Sequence, residues 1–77
     1  MSTSIRNILF THLKRLLRIK FHLRRLIQSC KSHPIWERQP PELVAYVEDQ
    51  ERQLRAIERG IYECQLELEV NSMRGRM

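Results

Sequence analysis

Between Leu43 and Leu68, eight residues fall at alternating intervals of 4 and 3: Leu43, Val47, Gln50, Leu54, Ile57, Ile61, Cys64 and Leu68. All but Gln50 are apolar. A helix turns about 100° per residue, so this spacing stacks the eight along one seam. An apolar seam of that length in water needs another helix to cover it. The chain has 77 residues in which to supply one. A chain this short buries only about 60% of the surface its unfolded form exposes, and a lone core of that size contributes ~3–5 kcal/mol. The expected fold is all-α: a two-helix hairpin or L-shape. Its second helix carries a coiled-coil a/d seam, and its burial is completed by partners.

The first half supplies the other helix of that scheme. Residues 1–30 read as a basic amphipathic helix, with Thr3 or Ser4 as its N-terminal cap. No Pro or Gly interrupts Ile5 to Cys30. At helical spacing Ile5, Ile8, Leu9, Leu16, Ile19, Leu23, Leu26 and Ile27 form one stripe, widened on one side by Phe10, Leu13, Leu17 and Phe21. His12 falls inside the stripe and is expected to be partly buried. Lys14, Arg15, Arg18 and Arg25, with His22, gather opposite.

Residues 31–40 form a linker in which Pro34, Pro40 and Pro41 forbid a continuous helix. Trp36 has two readings there: a plug at the open end of the hairpin, or an anchor into a partner's pocket. The second helix runs over 41–70, starting on Pro41, whose missing N–H costs nothing in a first turn. Glu48 with Arg52, and Glu51 with Arg55, stand as acid-before-base pairs at i, i+4. Gly60 is a weak point beside the seam, which suggests that another backbone approaches closely. Glu63, Glu67 and Glu69 oppose the dipole of their own helix, so that end should meet something positive. Residues 71–77 read as a flexible basic tail.

Charge is divided unevenly. The net is +5, yet residues 1–36 hold eight Lys or Arg and no Asp or Glu, while residues 39–77 hold five Arg against eight acids. The polarity suggests one end for phosphate and one for protein. Phosphate could come from RNA or from anionic lipid headgroups. An acid-free, Arg-rich amphipathic helix also has the composition of a mitochondrial targeting segment. Six charges between Ile8 and Ile27 exclude that run as a membrane span.

Catalytic chemistry finds little footing. There is no glycine-rich phosphate loop, no paired metal-ligand signature and no nucleophile beside an orienting base. Cys30 and His33 are spaced C-x-x-H, two ligands short of a structural zinc site. A hairpin sets Cys64 against the start of the first helix, roughly 30 Å from Cys30, so no disulfide is expected. No catalytic residue, cofactor, metal or small-molecule substrate is assigned.

Leu54, Ile57, Glu58, Ile61 and Tyr62 reproduce the pattern L-x-x-[LI]-E-x-x-I-Y. This resembles the coiled-coil signature of the small subunit of nuclear histone acetyltransferase complexes. The resemblance covers about a quarter of the chain and implies a non-catalytic scaffold in a chromatin enzyme. It departs from that family at Cys64-Gln65 and at Leu68-Glu69.

The expectation is a non-catalytic accessory subunit of a large assembly. Its leading setting is a mitochondrial complex, either a ribosome or a membrane-bound energy-converting complex. The nuclear chromatin scaffold is the alternative. Lys14, Arg15, Arg18 and Arg25 are the phosphate- or lipid-facing residues, and the eight seam residues are the partner contact.

Overall fold

The structure, a computed structural model, describes residues 5–74, with side chains for 5–73. The cap assigned to Thr3 or Ser4, and the side chains of Arg74 to Met77 in the basic tail, lie outside the described residues. Two helices, α1 (Ile5–Ser32) and α2 (Pro41–Arg74), are joined by a short 3-10 turn, Pro34–Arg38. They pack against each other as a hairpin.

The proline spacing accounts for the connection. His33 is extended at φ −73°, ψ 138°, which the following Pro34 demands. Its Nδ1 accepts the Ile35 N–H at 3.2 Å, so the side chain caps the turn. Gln39 then reverses the chain in the left-handed region, at φ 49° and ψ 54°. Its backbone N–H and its Nε2 both donate to the Trp36 carbonyl, at 3.0 and 2.8 Å. The Pro40 carbonyl accepts the Val44 N–H at 3.0 Å, and Pro41 takes the first helical position. Helix α2 continues four residues past Val70, to Arg74.

The core is a single line between the helices. From α1 it takes Leu16, Leu23 and Ile27; from α2 it takes Val47, Ile61 and Cys64, with Val47 only 1% exposed. Leu9, Leu13, Lys20 and Cys30 lie half-buried along the same line of α1. Together these seven α1 residues are spaced 4, 3, 4, 3, 4 and 3 apart. The broad stripe expected of α1 is therefore used only at its centre. Ile5, Ile8, Phe10, Leu17, Ile19, Phe21 and Leu26 remain exposed. His12 is exposed too, against expectation. It sits about 70° off the contact line, where one facing helix does not reach.

Register is fixed at several heights. Cys64 Sγ donates to the Leu9 carbonyl at 3.2 Å, Lys20 faces Glu58 at 3.7 Å, and Lys31 holds Glu51 at 2.8 Å. Both cysteines are free. Glu51 thus pairs across the hairpin and not with Arg55, and Arg52 reaches Asp49 at 3.4 Å in place of Glu48. A Cβ added at Gly60 would meet two Leu16 methyl groups at 3.5 and 3.9 Å. What lies over Gly60 is a side chain at ordinary contact distance, not a backbone.

The molecule measures 58 × 15 × 15 Å, with a radius of gyration of 17.4 Å. A compact chain of this length would have about 11–12 Å. Two helices side by side enclose nothing, so every residue off the contact line meets solvent.

Candidate functional site

The eight seam residues of α2 are all placed inward: Val47, Ile61 and Cys64 are buried, and Leu43, Gln50, Leu54, Ile57 and Leu68 are half-buried. The helix that covers them is α1 of the same chain. An outside partner using this seam would have to displace α1. Gln50, the polar member, is half-buried and neither sealed in nor fully solvated.

The basic residues of α1 fall into three groups by what they touch. Lys20 and Lys31 are tied to α2 through Glu58 and Glu51. Arg6 and Arg25 lie over aromatic rings, Arg6 at 5.8 Å from the Phe10 centroid and Arg25 at 5.7 Å from that of Phe21. Lys14, Arg15, Arg18 and Arg24 make no ion pair with any described residue. At about 100° per residue, Arg18 and Arg25 point directly away from α2, with Lys14 on one shoulder and Arg15 on the other. The four expected phosphate-facing residues thus form one exposed ridge along the outer edge of the hairpin. No acid interrupts it, because α1 contains none.

The acids of α2 are arranged to leave that ridge uncompensated. Glu51 and Glu58 neutralise cations near the helix contact. Glu63, Glu67 and Glu69 sit beside the start of α1, as the Cys64–Leu9 contact fixes. All three are exposed and lie well round α2 from the seam, so they share the height of the positive end of α1 without facing it.

The connection offers less. Trp36 is half-buried and Ile35 is 45% exposed. Ser29, Cys30, His33, Ile35 and Leu43 line a shallow pocket there. Cys30 and His33 meet in it, but no third ligand joins them among the described residues. Elsewhere, among the described residues, no helix is long and apolar enough to cross a membrane.

Sequence reasoning missed one feature, the 4-3 spacing within α1 itself. The signal was present in Leu9, Leu13, Leu16, Lys20, Leu23, Ile27 and Cys30, and Lys20 disguised it as a break. Comparison with known proteins finds no match among family models, curated proteins or solved structures.

Proposed function

We propose that this chain is a non-catalytic accessory subunit of a large assembly, and that it contacts phosphate through the outer ridge of α1. The observation that carries this reading is the ridge itself: Lys14, Arg15, Arg18 and Arg25 on one exposed edge, on a helix with no acid, turned away from the helix that could neutralise them. A merely solvated face needs no such exclusion of acids. Concentrated like charge raises the energy of the isolated chain and attracts polyanions.

Of the two phosphate sources, the geometry favours RNA. A helix lying on a membrane needs one continuous apolar sector turned to the acyl chains. In α1 the centre of that sector is occupied by α2, and the ridge stands between the two exposed flanks. Laying the ridge on a bilayer would set charge deepest and apolar side chains at the margins.

The leading setting is a mitochondrial complex, with a ribosome fitting an RNA-facing ridge better than a membrane-bound energy-converting complex does. The chromatin scaffold is the second reading. It draws on Leu54, Ile57, Glu58, Ile61 and Tyr62; the three aliphatic members turn inward and Tyr62 is 62% exposed. Purifying the tagged chain from its native cells and identifying what travels with it tests the proposal. Ribosomal proteins and RNA support it. A histone-modifying enzyme in their place moves the chain to the second reading, and recovery of the chain alone refutes both.

A further inference from the structure

The two long sides of the hairpin differ. One carries both interhelical ion pairs, Lys20–Glu58 and Lys31–Glu51. On that side Phe10 and Phe21 are roofed by Arg6 and Arg25. Helical position assigns Ile5, Ile8, Ile19, Leu26 and Tyr46 to the other side, and the pocket it shares with Ser29 and Leu43 puts Ile35 there as well. All six are exposed, Ile5 and Ile8 at 63%. No ion pair crosses this side among the described residues. His12 of α1 and Gln53 and Glu67 of α2 share this side, so the apolar lane is interrupted: Ile5 and Ile8 lie at one end, Ile19 and Leu26 in the middle, and Tyr46 and Ile35 at the other end.

We infer that this lane is closed by a second copy of the chain, giving a four-helix dimer in which α1 of each copy lies over α2 of the other. Area sets the need. A compact monomer of this mass exposes about 5,000 Å², whereas this chain exposes 6491 Å². The surplus, on the order of 1,500 Å², is enough for the ~800 Å² per partner that a standard interface buries.

Charge and side-chain size choose the arrangement. On α1 the lane is edged by Arg15 and His22, with His12 inside it; on α2 it is acidic, with Glu63 at the edge and Glu67 inside. A two-fold axis across the helices would stack α1 on α1 and set base against base. An axis along the helices sets α1 on α2, and it leaves every residue at its own height. Lys20 is level with Glu58, and Leu16 with Gly60. Ile19 therefore meets Gly60 and Ala56 of the second copy, the small residues of α2 on this side. Arg15, on the shoulder of the ridge, falls beside Glu63 of the second copy, which leaves Lys14, Arg18 and Arg25 as the uncompensated ridge of the dimer. Each helix is antiparallel to both neighbours, which also suits their dipoles.

Sedimentation equilibrium on the full chain at tens of micromolar tests this. The expected species is twice the 9.4 kDa chain mass. Ile19→Asp should give a monomer that keeps its helical circular dichroism. Arg15→Glu and Glu63→Arg should each weaken the dimer roughly tenfold or more, and the two together should restore it. If Ile19→Asp unfolds the chain, the charge exchange alone decides, since both residues are exposed in the hairpin. A monomer at all concentrations, a higher oligomer, or a dimer indifferent to the exchange overturns the inference.

Discussion

Gly60 is the position where one side chain most clearly separates local from tertiary cost. It lies within α2, where glycine is less favourable than alanine by up to ~1 kcal/mol. The added methyl would reach Leu16 at 3.5 Å, an ordinary contact. Gly60→Ala should therefore raise stability by up to ~1 kcal/mol, a gain of several degrees in Tm for a chain of this size. Thermal unfolding followed by circular dichroism measures it in the Ile19→Asp background, where no second copy lies over Gly60, and a lower Tm there would contradict the 3.5 Å spacing to Leu16. Lys31 and Glu51 behave differently. Their pair is short, at 2.8 Å, but both side chains are a third or more exposed, so solvent screening holds the contribution to about 0–1 kcal/mol. Lys31→Ala should shift Tm by no more than a few degrees, and less as salt is added.

At the scale of the element, the two helices were not equally legible. In α2 the apolar residues are few and polar residues fill the gaps, so the 4-3 spacing from Leu43 to Leu68 leaves one face to bury. The structure buries or half-buries all eight. Helix α1 is apolar over more than half its circumference, and neighbouring registers each hold several Ile, Leu or Phe. Nothing local selects among them. The choice falls to whichever line lets α2 pack while Lys20 reaches Glu58 and Leu16 seats over Gly60. The same ambiguity misplaced His12, which belongs to a register that α2 does not touch. Because the seam is covered from within the chain, its disruption should act on folding first. Ile61→Asp places a carboxylate at a position 7% exposed and should cost several kcal/mol, enough to remove most helical signal. Glu48→Ala, exposed and outside the contact line, should leave the spectrum unchanged. A fully helical Ile61→Asp variant would contradict the packing described.

At the scale of the whole molecule, the hairpin has three surfaces with separate uses. The contact line holds α1 to α2; the apolar lane is the surface proposed to pair two copies, and the ridge of α1 the one proposed to face phosphate. In the dimer the two ridges stand on opposite edges, so one assembly could touch two stretches of polyanion. The proposed mitochondrial address rests on the same helix. If α1 directs mitochondrial import, residues 1–36 fused to a fluorescent reporter should reach mitochondria and should fail to do so after Arg15→Glu with Arg18→Glu. Nuclear accumulation of the unaltered fusion would instead support the chromatin setting. The phosphate ridge is the claim on which the functional reading stands, and ionic strength tests it most directly. Affinity for single-stranded RNA should be measured against salt for the native chain and for the joint Lys14→Gln, Arg18→Gln, Arg25→Gln variant, which leaves Arg15 to the dimer. Each phosphate contact contributes ~0.7 to the slope of log affinity on log salt. The account predicts a slope flatter by about 2 in the variant. An unchanged slope, or no RNA binding by the native chain, would contradict it.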